Sequence, residues 1–456
     1  KVFHDWEFSA QMVSAIFGTL TLIPFYFLTR KLFNQGLAFI SSIIFAFQPY
    51  LVRFSGEVIR EPFFWFLFMM AIWFGWEAIT KKKLYLFVLT SLFGSMSFLL
   101  RPEGIFVVPL IALWVFLSDF KKLRASYKRR ILFTLTLLLT VPMLVFPAIL
   151  YLKGKTGHWQ WASIDRLPRF FSIDWTMDRI KKNFDKLEPK AWDDSPQGRV
   201  ELNRLKDFLS LARDHRLAIV GIETASKFLK AIHPLLFIPL VFGSIKRKTI
   251  QYRWEEELFL LSAFSFSLLI LVRYGTISSY IGTRHMMTPV ILCLPWIGAG
   301  FVELEYKIKN SFLTTKFMGT RDIHLRNFRW VLLILIVFAL LPKTLASQRS
   351  GKVPLKEAGI WLKEHGPSNP VIMGQGESGR RIAFYSDGTF LEIPFTQDLF
   401  EYAKEKRVDF LAVNEKRIEQ AYPGLIGTLD PENFREEVII GKSLGSYVIR
   451  IYSVRY

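Results

Sequence analysis

Apolar residues along this chain come in long runs separated by short charged connections. Six runs fill residues 10–29, 32–52, 63–79, 84–100, 104–117 and 131–152, and four more cover 232–245, 258–272, 286–302 and 330–345. A run of roughly 20 apolar residues rises about 30 Å as a helix, the thickness of a bilayer's hydrocarbon layer, so the pattern predicts about ten spanning helices. Several runs are shorter than that, and for these tilt or an incomplete crossing is expected.

The connections carry a second pattern. Basic clusters stand at Arg30-Lys31, Lys81-Lys82-Lys83, residues 121–130, Lys246-Arg247-Lys248 and residues 307–329, which is every second connection. Lys and Arg accumulate on the cytoplasmic side, so the alternation predicts an amino terminus outside. Residues 53–62, 101–103, 153–230, 273–284 and everything after 345 then fall on the external face. The stretch 153–230 mixes Trp159, Trp161, Phe170, Phe171 and Trp175 with basic residues. It reads either as amphipathic helices lying in the membrane interface or as a solvated helical loop.

From Gly351 the periodicity becomes that of a soluble domain. A helix is predicted over 352–365, strands over 371–373, 389–393 and 410–413, a second helix over 398–406 and a terminal hairpin over 438–454. The expected architecture is a polytopic α-helical membrane protein with a small C-terminal α/β domain. Residues 1–345 form the membrane domain, with 153–230 as its external loop, and 346–456 form the external domain.

Composition supports this and excludes some classes. Of 456 residues 51% are hydrophobic and 16% aromatic, more apolar surface than a soluble core hides. The net charge of +20 would point to nucleic acid in a soluble chain, but here the basic residues sit between apolar runs as topology signals, so no nucleic acid is expected. The one cysteine, Cys293, lies within an apolar run and excludes an internal disulfide and a thiolate metal site. External segments without cysteine fit a prokaryotic cell (inner) membrane. The seven histidines have no metal-ligand spacing, so a divalent ion would have to use carboxylates; no cofactor is indicated.

Charges at the mouths of spanning helices are costly unless paired or used, which makes the external rim the place to look for chemistry. One cluster runs from Arg53 to Pro62 and holds Arg53, Glu57, Arg60 and Glu61; another is Arg101-Pro102-Glu103; a third comprises Arg273, Tyr274, Tyr280, Arg284 and His285. Arginines on the face that the positive-inside rule disfavours need another cause. Guanidinium groups grip phosphate through paired hydrogen bonds, so Arg53, Arg60, Arg101, Arg273, Arg284 and His285 are candidates for binding a lipid-borne phosphate; interface snorkelling or local salt bridges are the alternative. The glycine-rich segment 374–379, with Glu392 beyond it, has dinucleotide-binding spacing, but the domain is small and external, so a glycine-rich turn is the favoured reading.

Several segments resemble, in order, the multispanning GT-C class of glycosyltransferases. These are residues 14–20, 28–33, Pro49-Tyr50-Leu51-Val52-Arg53-Phe54-Ser55-Gly56-Glu57, Leu100-Arg101-Pro102-Glu103-Gly104, and Arg284-His285-Met286-Met287-Thr288-Pro289. The pattern is most similar to bacterial aminoarabinose transferases and protein O-mannosyltransferases and covers most of residues 8–305. The resemblance implies transfer of a sugar, with inversion, from a polyprenyl-phosphate donor to a glycan, lipid or protein acceptor at the external membrane face. The general-base Asp of that class lies in the first external loop and is expected upstream of Lys1, with its preceding helix; Asp5 and Glu7 are the nearest acids here. The second acidic position of the class matches Glu61, before Pro62, with Glu57 as the other choice. Charge-poor run interiors and unmatched halves weigh against the alternatives, a membrane transporter or a non-catalytic envelope assembly protein.

Overall fold

The computed structural model describes residues 6–117, 127–157, 215–245, 254–278, 281–309, 328–346, 353–394, 399–415, 418, 425–441 and 448–456. The chain divides into two compact units, Lys1–Leu345 and Ala346–Tyr456. The first is helical and the second contains the sheet.

The helices of the first unit are α1 (Trp6–Leu20), α2 (Leu22–Leu32), α3 (Gln35–Phe47), α4 (Pro49–Ser55), α5 (Glu61–Lys81), α6 (Leu84–Leu100), α7 (Val107–Leu117), α8 (Tyr127–Thr156), α9 (Arg216–Ile232), α10 (Pro234–Ile245), α11 (Trp254–Ser278), α12 (Met287–Lys309) and α13 (Phe328–Leu345). Five stretches among the described residues are long and apolar enough to cross a membrane, or seven if each of two bent pairs counts as one span. Leu84–Leu100, Pro102–Leu117 and Trp330–Leu345 are apolar but shorter. The expected ten therefore reduce to five to seven spans of full length, because proline divides two runs and three others are short.

Both bends have a local cause. Proline cannot donate to the preceding turn and drives the residue before it out of helical backbone. Gln48, before Pro49, is extended at φ −68°, ψ 118°, and α3 and α4 meet at 60°. His233, before Pro234, adopts φ 79°, and α10 turns 103° from α9. The two breaks are tied together by Gln48, which is fully buried. Its Oε1 accepts from Leu51 N at 2.7 Å while its Nε2 donates to Ala231 O at 2.6 Å.

The connections at Arg30-Lys31 and Lys81-Lys82-Lys83 converge on one carboxylate. Lys31 Nζ is 3.7 Å from Glu77 Oε1, and Lys81 pairs with the other oxygen of the same buried acid. Small residues permit close packing elsewhere, as membrane helices require. A Cβ on Gly243 of α10 would overlap the Trp296 carbonyl of α12, and one on Gly300 would overlap that of Pro239. Cys293 is buried in this core.

In the second unit α14 (Val353–His365) precedes β1 (Val371–Gly374), α15 (Gly376–Tyr385), β2 (Thr389–Glu392), α16 (Leu399–Lys406), β3 (Phe410–Asn414), β4 (Phe434–Ile440) and β5 (Ile449–Val454). The sheet order is β2-β1-β3-β5-β4; β1 runs parallel to β2 and β3, and β5 antiparallel to β3 and β4. Successive strand residues face opposite sides. Ile372, Phe410 and Ala412 accordingly join one buried cluster with Leu355 and Ile382, while Met373, Leu411 and Val413 join another with Ala403 and Val408. Helices on both faces explain why β1 and β3 read as unbroken apolar runs.

Candidate functional site

The site begins with two prolines and a glycine. Glu61 opens α5 just before Pro62, so its carboxylate stands at a helix amino terminus, where the macrodipole favours an anion. Arg101 follows α6 and precedes Pro102, which holds it extended at φ −147°, ψ 134°. The chain then folds back in a 3-10 turn, Pro102–Phe106, with Gly104 pressed so closely on α6 that a Cβ there would stand 2.5 Å from Phe98 N. That approach returns Glu103 to Arg101.

Arg101 is 6% exposed, and its guanidinium is fully engaged. Nη2 and Nε donate to the two oxygens of Glu103 at 2.9 and 3.3 Å, a bidentate pair, and Nη1 donates to Glu61 Oε1 at 3.2 Å. The guanidinium carbon also lies 5.6 Å from the centre of the Phe64 ring. A second cation reaches the same acid from the turn Thr283–Met286 before α12: Arg284 Nε is 3.6 Å from Glu61 Oε1. Its side chain is 48% exposed, against 8% for Arg101. Beside it His285 is buried; its Nδ1 accepts from Gly282 N at 3.0 Å, which leaves Nε2 as the ring's donor, and its ring centre is 5.2 Å from that of Tyr274.

Beneath these charges a narrow slot of about 30 Å³ runs between α5, α7, α11 and α12. Its walls are Phe64, Phe68, Phe106, Phe266 and Ile270, with Arg101, Glu103 and His285 among its lining. The assembly is amphiphilic, with ionic groups above an apolar cleft.

Of the residues singled out from sequence, Glu61, Arg101, Glu103, Arg284, His285 and Tyr274 come together. Arg53 instead pairs with Glu57 one turn away, Nε to Oε1 at 3.2 Å, across the end of α4. Arg60 is the exposed residue before α5, and Arg273 donates from Nη1 to Thr276 Oγ1 at 3.3 Å on α11. Glu7 stands in the first turn of α1, while Asp5 and Tyr280 lie outside the described residues. Trp159, Trp161, Phe170, Phe171 and Trp175 also lie outside them. The apolar wall of the slot was not read from sequence, since Phe68, Phe106 and Phe266 look like any other span residue.

No group of three or more metal-ligating side chains occurs among the described residues. In the second unit the glycine-rich segment makes a turn in which Gly376, at φ 49°, donates its N–H to Glu392 Oε1 at 2.7 Å. The chain's own carboxylate therefore takes up an amide that a nucleotide phosphate would need.

Comparison with known proteins bears on the same residues. Residues 1–146, which include Glu61, Arg101 and Glu103, match the family described as dolichyl-phosphate-mannose-protein mannosyltransferase. No curated protein sequence matches the chain. Among solved structures, the Archaeoglobus fulgidus oligosaccharyltransferase tethered with an acceptor peptide containing the NVT sequon is similar at a TM-score of 0.53 and 13% identity. The match covers 99% of this chain and 63% of that one, so this chain spans less than two thirds of that relative's length. ArnT from Cupriavidus metallidurans bound to undecaprenyl phosphate matches at a TM-score of 0.49 and 12% identity, over 97% of this chain and 83% of that one. The chain thus resembles the GT-C class of membrane glycosyltransferases.

Proposed function

We propose that this integral membrane protein is a glycosyltransferase that takes an inverting sugar transfer from a polyprenyl-phosphate-linked donor to an acceptor at the external membrane face. One observation carries the reading: a half-exposed guanidinium, Arg284, stands over a buried ionic frame whose other side opens on an apolar slot. A ligand matching both must be an anion attached to a hydrocarbon. The family matched by residues 1–146 is named for such a donor.

Within this reading the arginines divide the work. Arg101 is held by Glu103 and Glu61 and serves as the frame; Arg284, with a single long contact to Glu61, is the group free in geometry to turn toward a phosphate. His285, buried beside it, is the other candidate from the same turn. The charges of Glu61, Glu103, Arg101 and Arg284 balance, so an arriving phosphate competes with Glu61 for Arg284. Glu61, a carboxylate fixed at a helix amino terminus, is the candidate for orienting the donor or acceptor; Glu57 and Arg53 neutralise each other nearby in sequence. A general base must reach the acceptor hydroxyl within hydrogen-bond distance, and Asp5 and Glu7 remain the candidates in this chain.

The test is binding of a fluorescent polyprenyl phosphate to the full chain in nanodiscs, followed by assay of sugar release from polyprenyl-phosphate sugars. Saturable binding that neutral polyprenol does not match, and that falls at least tenfold in Arg284→Ala, supports the proposal. Equal binding of alcohol and phosphate, or an Arg284→Ala variant with unchanged affinity, overturns it.

A further inference from the structure

Helix α9, Arg216–Ile232, contributes no side chain to the ionic cluster, yet it packs against the turn Thr283–Met286 that bears Arg284 and His285. Val220 is among its buried residues. It and Ile281 close over Gly275 of α11, with Val220 Cγ1 2.7 Å from where a Cβ would stand. Ile281 is followed directly by Gly282, whose N–H holds His285. A displacement of α9 would thus press on the turn through two apolar contacts.

Away from Val220, α9 exposes apolar side chains among the described residues. Leu217, Ile219, Ile222 and Leu229 are 70%, 46%, 71% and 48% exposed. Ile219, Ile222 and Leu229 recur at i, i+3 and i+10, which puts them along one face of a helix. Arg216, Lys227 and Lys230 stand against Glu223 alone, three basic residues to one acid. The helix ends in the 103° corner at His233-Pro234, beyond which α10 exposes Leu235, Phe237 and Ile238. A basic amphipathic helix set at a right angle to an apolar one that enters the bilayer has the geometry of an in-plane interfacial helix.

We propose that α9 is an in-plane membrane anchor. Its Ile219, Ile222 and Leu229 face sits at the headgroup–acyl boundary of an anionic bilayer, and through Val220 and Ile281 that seat sets the height of the Arg284 turn against the lipid phosphates. The partner is an anionic lipid surface, to which basic residues near the headgroups are drawn. The role assigned to Arg284 rests on the function proposed above; the seating of α9 does not.

The experiment places an environment-sensitive fluorophore at Ile222→Cys in the full chain. Cys293 is 1% exposed and leaves the new thiol as the accessible one among the described residues. In nanodiscs of phosphatidylcholine and phosphatidylglycerol, emission should shift to the blue and be quenched more by lipids spin-labelled near the headgroup than by those labelled at the chain end. Water-like emission quenched by iodide and not by spin-labelled lipid overturns the anchor.

A second arm measures coupling in Ile222→Asp/Leu229→Asp, both exposed positions. Affinity for dodecyl phosphate should fall about threefold to tenfold, the scale of a lost interfacial attraction. Unchanged affinity in that variant overturns the coupling to Arg284. A wild-type chain that binds no phosphate amphiphile counts against the proposed function, and the quenching result then still decides the anchor.

Discussion

Replacing Arg101 by alanine separates a frame from a ligand. The side chain is 8% exposed and donates three hydrogen bonds to two carboxylates that are themselves 5% and 13% exposed. Its removal leaves Glu61 and Glu103 facing each other without a counter-ion, except for the long contact to Arg284. Breaking a buried ion pair from one side costs about 3–5 kcal/mol. For a chain of this size that corresponds to a fall in Tm of about 5 °C. Arg284→Ala removes a group that is 48% exposed, where water already screens the charge, so a loss of no more than about 1 kcal/mol is expected.

The assay is thermal unfolding in detergent, followed by fluorescence-detected size exclusion, with phosphate-amphiphile binding measured well below Tm. Arg101→Ala should unfold early, and Arg284→Ala should keep its Tm while losing affinity. Arg101→Met combined with Glu61→Gln and Glu103→Gln should recover much of the lost stability, since removing all the charges together also removes the desolvation cost. An Arg101→Ala chain of unchanged Tm that has lost phosphate binding would refute the division of roles and make Arg101 the ligand.

Other expectations follow from single contacts. Gly104→Ala should destabilise by about 1–3 kcal/mol in the same unfolding assay, because the new methyl meets the Phe98 backbone and must push Glu103 away from Arg101. Gln48→Leu should cost about 1–3 kcal/mol for each stranded backbone group, Leu51 N and Ala231 O, with faster hydrogen exchange at both bends. In the second unit Tyr456 donates its hydroxyl to Val408 O at 2.6 Å or Ala403 O at 2.9 Å, and burial raises its pKa above the usual 10.0. A raised folded-state value means this contribution is complete below pH 10 and is lost as pH rises through the shifted value. Exchange at β3 in the full chain should therefore accelerate in that alkaline window, and Tyr456→Phe should abolish the pH step.

The sequence carried the helices and strands because burial period and run length are local quantities. Apolar runs appear as helices at residues 63–79, 84–100 and 330–345 within a few positions of α5, α6 and α13. The helix over 352–365 follows in the same way from a period of 3.6, and the strand over 410–413 from a short unbroken apolar run, as a strand covered on both faces shows. The runs 32–52 and 232–245 read through Pro49 and Pro234 without a break, and the angles of 60° and 103° there depend on what packs across them; Gln48 meeting Ala231 spans 183 positions.

The same limit applies to the site. Arg101 and Arg284 look alike in sequence, each followed within five residues by proline at the mouth of an apolar helix. Only the folded chain puts Glu61 and Glu103 on one and leaves the other half-exposed, because the partners come from α5, from the turn after α6 and from the turn before α12. Which residues are charged, and that they stand at the ends of apolar runs, is written along the chain. Which charges are already neutralised is a matter of distance between segments, and that distance exists only after the helices have packed.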